Sequence, residues 1–134
     1  MFLYRRVTLV LNDILLYIGG GAIAVWGIAH IAPTKSILSG FGNVSRDNKL
    51  IIAMESLAEG MTLIFIGVLA MLVTGIAGSG GQAAHVVYLT SAGMLVAMAA
   101  LTIATGARTP IMPYKICPFV KTGVAILFVL GALL

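Results

Sequence analysis

Apolar residues dominate four stretches of the chain, and short segments rich in polar residues, Gly or Pro separate them. The four stretches cover residues 7–31, 49–77, 83–106 and 117–134. A helix needs roughly 20 apolar residues to cross the hydrocarbon core of a bilayer, and each stretch is close to that length or longer. We therefore predict an all-α, polytopic membrane protein. Its four transmembrane helices should form an antiparallel bundle, in a single integral membrane domain over residues 1–134.

The composition strengthens the membrane assignment and excludes other classes. Of 134 residues, 60% are hydrophobic and only 9% are charged, whereas soluble domains carry about 25% charged residues. The net charge is +4, but the basic residues lie in loops and flanks. This distribution argues against a nucleic-acid-binding surface. Cys117 is the only cysteine, so we expect no internal disulfide and no cysteine-based metal motif, and we predict that Cys117 is inert.

Prolines and polar residues set the expected boundaries of the spans. Pro33 should end the first span, because the residue before a proline disfavours helical geometry. Ser45, Asp47 and Asn48 are the candidates for the N-cap of the second span. The connection 32–48 is long, and loops of more than about 12 residues are often functional, so it is a candidate lid. Loop 107–116 contains two prolines and should stay out of helix, and Pro118 suits a first helical position.

Two carboxylates lie inside the second apolar stretch. Glu55 and Glu59 are four residues apart, so they share a helix face with side-chain roots about 6 Å apart. Ionisable groups at membrane depth are costly, usually face a bundle interior, and are functional candidates. Apolar surroundings disfavour a charged carboxyl group, so we expect a buried glutamate pair that exchanges protons as a unit. The alternative is that a glutamate pairs with Lys121 only to fix helix packing.

An antiparallel bundle brings several polar segments to one membrane face. His30 ends the first span there, so the predicted catalytic residues are His30, Glu55 and Glu59, with His30 as a proton relay. Side chains of loop 32–48, the second span, loop 107–116 and the fourth span lie at the same face. We predict six of them as substrate-binding: Asn48, Thr62, Arg108, Tyr114, Lys115 and Lys121.

Metal and haem binding are weakly indicated. His30 with Glu55 and Glu59 would suit iron or zinc, but two glutamates and one histidine are a weak pattern. We assign no metal site and leave the cofactor open. His30 and His85 belong to opposite membrane faces, on the order of 30 Å apart, which excludes a haem shared between them. Asp13 lies toward the face opposite His30, and we expect a structural role for it.

Small residues on the second span predict close helix packing. Ser56, Gly60, Gly67 and Thr74 recur at helical spacing, and such residues let membrane helices approach one another. The methionines are most economically interpreted as core filler, and five of them lie within the spans: Met54, Met61, Met71, Met94 and Met98.

The distribution of Lys and Arg predicts an orientation in the membrane. Loops 32–48 and 107–116, with the first residues of the second and fourth spans, contain six basic residues, against Arg5 and Arg6 near the N-terminus. The six are Lys35, Arg46, Lys49, Arg108, Lys115 and Lys121. Because cytoplasmic loops carry an excess of Lys and Arg, we expect loops 32–48 and 107–116 on the cytoplasmic side of a bacterial inner membrane.

The outline of the chain resembles a group of small four-helix bacterial membrane proteins that includes the DoxX-like and anthrone-oxygenase-like families. The resemblance lies in helix number, loop lengths and acidic residues on an inner helix face, here Glu55 and Glu59. The chain is also similar to emopamil-binding-type isomerases, which place Glu and His within a small helical bundle. These resemblances imply the four-helix membrane fold and leave the activity open.

Three functions are compatible with this pattern. The first is an intramembrane enzyme that acts on a lipophilic small molecule by acid–base chemistry at the glutamate pair. The second is a non-catalytic subunit of a larger membrane complex that binds lipid, pigment or quinone. The third is a small proton-coupled transporter, which four helices could form only as a homo-oligomer. We favour the enzyme, with the lipid bilayer and a lipophilic small molecule as its expected partners.

Overall fold

A computed structural model describes the backbone of residues 2–134 and the side chains of residues 6–134. The helices are α1 (Phe2–Ile31), α2 (Thr34–Gly40), α3 (Arg46–Ala77), α4 (Gln82–Ala104) and α5 (Met112–Leu133), with a 3-10 turn at Gly106–Arg108. No strand occurs within residues 2–134. In this range, four helices (α1, α3, α4 and α5) are long and apolar enough to cross a membrane. The predicted all-α bundle of an integral membrane protein is therefore confirmed.

Two boundaries differ from those predicted by the sequence. Part of the connection 32–48 is helical, because α2 follows directly on Pro33. Helix α5 begins at Met112, five residues before the predicted start, with Pro113 in its first turn, where a proline has no backbone bond to lose. Pro118 consequently lies inside α5 rather than at its start. Of the three candidate caps of α3, the structure shows Ser45, whose hydroxyl accepts a hydrogen bond from the Asn48 N–H at 3.2 Å.

Helix α1 lies between α3 and α5, and glycines set its distance from α3. A methyl group added at Gly27 would lie 2.6 Å from the carbonyl oxygen of Gly60, and one added at Gly20 would lie 2.9 Å from that of Gly67. Both contacts are shorter than van der Waals distance, so the backbones touch as in small-residue membrane interfaces. Gly60, Gly67 and Thr74 are buried, which confirms three of the four residues of the predicted packing face. The fourth, Ser56, is half-buried and lines the cavity described below.

Helices α3 and α4 pack far less closely than the other sequential pairs of spans. They are joined by the short connection at residues 78–81. Near that connection, the hydroxyls of Thr74 and Tyr88 lie 2.9 Å apart and link the two helices. Toward the opposite membrane face the helices diverge around a cavity of about 420 Å³. We call this cavity the α3–α4 groove; it opens between two spans.

The prediction that the methionines fill the core is wrong for three of them. Met54, Met61 and Met94 are 58%, 59% and 49% exposed, so they are not core filler. Met94 and Met98 line the α3–α4 groove, and Met98 also packs against the core as predicted. The core consists mainly of aliphatic residues, alanines and two aromatics, with these among its fully buried side chains: Leu16, Ile23, Leu63, Tyr88, Leu95 and Phe128.

Candidate functional site

Five polar side chains from all four spans meet near the membrane face formed by the two longer loops. We call this set the Glu59 cluster, and its members are His30, Glu59, Thr102, Cys117 and Lys121. His30 lies in the last turn of α1 and Thr102 in the last turn of α4, whereas Cys117 and Lys121 lie in the first half of α5. The alternating direction of the spans brings these helix ends together.

The centre of the cluster is an ion pair. Lys121 is completely buried, with 0% exposure. Its Nζ donates to Oε1 of Glu59 and, at 2.9 Å, to the hydroxyl of Thr102. A buried ammonium group is tolerated only when it is paired and hydrogen-bonded, and these two acceptors meet that requirement. Lys121 therefore contacts Glu59 from the interior of the bundle, which matches the alternative that a glutamate pairs with Lys121. It does not line the groove, and substrate contact by Lys121 stays a prediction.

His30 contacts the other oxygen of the same carboxylate. Its Nε2 lies 3.2 Å from Oε2 of Glu59, and the residue is only 8% exposed. The ring nitrogen nevertheless lacks the alignment of a hydrogen bond. The ring of Tyr114 meets the imidazole edge to face, with centroids 5.7 Å apart and planes at 75°. His30, predicted as a site residue, is thus in direct contact with Glu59.

Cys117 was not predicted as a site residue. It is fully buried, and its sulfur accepts a hydrogen bond from the indole Nε1 of Trp26 at 3.3 Å. Donor atoms of His30, Glu59 and Cys117 all lie within 4.8 Å of one another, so these three residues could hold a metal ion. A lone cysteine gives no motif, but its spacing of four residues from Lys121 places both on one face of α5.

Glu55 and Glu59 line the same groove, as their spacing predicts. Their surroundings differ, however. The Glu59 side chain is 29% exposed and makes two ion pairs, whereas Glu55 is exposed and makes no ion pair within residues 6–134. The structure therefore does not show the buried glutamate pair that we expected. Only Glu59 belongs to the polar cluster, and Glu55 lies one helical turn closer to the start of α3.

The remaining predicted binding residues fall into two sets. Thr62 and Tyr114 line the α3–α4 groove, and the Thr62 hydroxyl donates to the Ala58 carbonyl at 2.8 Å. Asn48, Arg108 and Lys115 are exposed and do not line it. The structure thus brings two of these five residues to the groove, and substrate contact by any of them stays a prediction.

A second cavity lies on the other side of His30. It has a volume of about 290 Å³ and lies between α1, the start of α2 and the first turns of α5. Ile37 of α2 lines it, together with His30 and Tyr114. Tyr114 also lines the α3–α4 groove. His30 thus lines one cavity and Glu59 lines the other, and the connection predicted as a lid forms a wall of the cavity beside His30.

The opposite membrane face has a separate set of polar contacts. Asp13 accepts a hydrogen bond from the backbone N–H of Ser79 at 3.1 Å, which ties α1 to the connection between α3 and α4. This contact supports the structural role that we expected for Asp13.

Comparison of the chain with protein-family models, curated proteins and solved structures found no match. The resemblance to the DoxX-like group therefore stays a prediction from the outline of the chain.

Proposed function

We propose that this chain is an intramembrane enzyme that acts on a lipophilic small molecule, with the Glu59 cluster as its reaction centre. The observation that carries the proposal is that Glu59, held by the buried Lys121, lies in the wall of a groove between two membrane spans. Such a groove would admit a molecule dissolved in the bilayer. Ligand sites are typically concave and mostly apolar, with a few polar groups that fix the ligand's orientation.

The composition of the groove supports a substrate with a long apolar part and a polar group. Met94, Met98 and Leu101 supply apolar surface on the α4 side, and Glu55 and Glu59 supply carboxylates on the α3 side. The apolar part would lie along α4, with the polar group directed toward Glu59. We infer acid–base chemistry on that polar group, centred on the Glu59 cluster rather than on a pair of glutamates.

A purely structural role would account for less of this arrangement. Fixing helix packing requires the ion pair of Lys121 and Glu59 alone, whereas His30 and Cys117 add further polar groups at membrane depth. Buried polar groups cost free energy unless they are fully satisfied, and ionisable residues inside a membrane usually mark a functional site. Their position between two cavities favours a reaction centre.

Occupancy of the groove tests the binding part of the proposal. Met98→Trp would place an indole in the groove, so we expect about tenfold less bound lipophile, equivalent to ~1.4 kcal/mol of binding free energy. Native mass spectrometry of protein released from a mild detergent after exposure to a membrane lipid extract would measure it. Met61→Trp is the matched control, because Met61 is 59% exposed on α3 and does not line the groove. Equal loading of the two variants would contradict the proposal.

We further propose that the protein lies in a bacterial inner membrane with loops 32–48 and 107–116 in the cytoplasm, as the distribution of basic residues suggests. Exposed positions of opposite loops, Ser39 and Gln82, allow a test with cysteine substitutions and a membrane-impermeant maleimide. In intact spheroplasts we expect labelling of Gln82→Cys, and labelling of Ser39→Cys only after lysis. The native Cys117 is fully buried and should give little background. The reverse pattern would overturn the orientation.

A further inference from the structure

We propose that His30, Glu59 and Cys117 form a binding site for a divalent transition-metal ion, with zinc as the best-suited candidate. The inference goes beyond the proposed function, because metal binding can be measured without knowing the substrate. The three residues come from three different helices, α1, α3 and α5. One donor atom from each lies within 4.8 Å of the other two. Imidazole, carboxylate and thiolate are the protein ligands that zinc uses.

The contact between His30 and Glu59 is the strongest support for the metal site. Nε2 of His30 and Oε2 of Glu59 lie 3.2 Å apart, but Nε2 has no hydrogen-bond partner although His30 is more than nine-tenths buried. Two donor atoms of one tetrahedral zinc ion, with bonds of about 2.0–2.1 Å, are separated by roughly 3.3 Å. The observed separation matches that value. This separation fits two ligands of one ion as well as it fits the ion pair described above.

The groups around the three donors also suit a metal site. The indole N–H of Trp26 contacts the sulfur of Cys117 at 3.3 Å and would stabilise a thiolate. Lys121 holds Oε1 of Glu59, which leaves Oε2 directed toward His30. Partners of this kind orient metal ligands, and their loss typically lowers metal affinity 10–100-fold. The Glu59 carboxylate and the Cys117 thiolate would offset two of the three positive charges carried by the ion and the Lys121 ammonium.

Three protein ligands would leave a fourth position for water or for a substrate atom, as in catalytic zinc sites. Glu59 lines the α3–α4 groove, so the ion would lie at the groove wall. There it would polarise an oxygen of a lipophilic ligand or activate a water molecule. This arrangement points to a ligand with an oxygen-containing polar group, such as a hydroxyl or carbonyl.

Metal titration of the full-length protein, purified without a histidine tag and stripped with a chelator, tests the site. We expect one Zn²⁺ per chain by elemental analysis. Co²⁺ should replace it with a sulfur-to-cobalt charge-transfer absorption, the signature of a Cys117 ligand. His30→Gln and Cys117→Ser should each weaken binding at least tenfold, and Cys117→Ser should remove the absorption. The control is His85→Gln, which alters the chain's other histidine, in the first turn of α4.

Failure of the metal site and failure of the proposed function give different results. No stoichiometric metal, or equal binding by wild type and Cys117→Ser, would overturn the metal site while leaving Glu59-dependent turnover intact. If a ligand variant does not fold, Trp26→Phe provides the second test, because it removes only the N–H donor to the sulfur. We expect about tenfold weaker binding and a shifted charge-transfer band. An unchanged affinity and band would count against thiolate ligation.

Discussion

Replacing Lys121 by Met is expected to lower the free energy of unfolding by about 3–5 kcal/mol, the range found when one partner of a buried ion pair is removed. Lys121 is completely buried, and its ammonium group bonds Glu59 and Thr102. In the variant, the Glu59 carboxylate keeps only the His30 contact. The Thr102 hydroxyl loses the Lys121 donor and keeps its own bond to the Met98 carbonyl. The loss should therefore exceed the cost of the changed side-chain packing alone.

Two further variants separate the ion pair from general effects of the substitution. Lys115→Met alters an exposed lysine of the same helix and should change stability by less than about 0.5 kcal/mol. The double variant Glu59→Gln with Lys121→Met leaves no unpaired charge, so it should recover at least half of the lost stability. Reversible unfolding of the four proteins in mixed micelles would measure this. A Lys121→Met protein as stable as Lys115→Met would show that the ion pair contributes nothing.

The bundle was predictable because apolar length is the strongest signal in a membrane protein. Two local features were not. Helix α2 is only seven residues long, so it leaves little periodic signal, and its environment beside α1 is a tertiary effect. Pro118 was interpreted as a helix start because prolines favour that position, but Pro113 also precedes the apolar run, and α5 begins around it. When two prolines lie five residues apart, the sequence does not tell which one opens the helix.

The sequence predicted the central residues of the candidate site. Glu59 is an unusual charge in an apolar run, and helix alternation correctly placed His30 and Lys121 at the same end. The roles of Lys121 and Glu55 were not predictable, because they depend on which helices touch. Lys121 is interior because α5 packs against both α1 and α4, and Glu55 is exposed because α3 and α4 diverge at its level. Cys117 was missed because its partners come from two other helices.

Glu59→Gln is the variant with the largest expected effect on turnover, about hundredfold or more, the lower end of the contribution of a positioned acid–base group. Gln keeps the size of the side chain but removes the negative charge that holds Lys121 and His30. Because it also leaves Lys121 unpaired, the substitution is best made together with Lys121→Met, which removes the unpaired ammonium. Glu55→Gln is the matched control, since Glu55 lines the same groove but makes no ion pair within residues 6–134; we expect it to retain most of the turnover.

The central claim is that the Glu59 cluster transforms a lipophilic molecule from the bilayer. Its most direct test is to reconstitute the protein in liposomes with a total membrane lipid extract and follow the lipophilic species by untargeted mass spectrometry. We predict that the wild type consumes one species and forms one product, and that Glu55→Gln does the same. The folded Glu59→Gln, Lys121→Met double variant should form the product at least about a hundredfold more slowly. Product formation by the folded double variant at the wild-type rate, or no conversion by any of the three proteins, would contradict the claim.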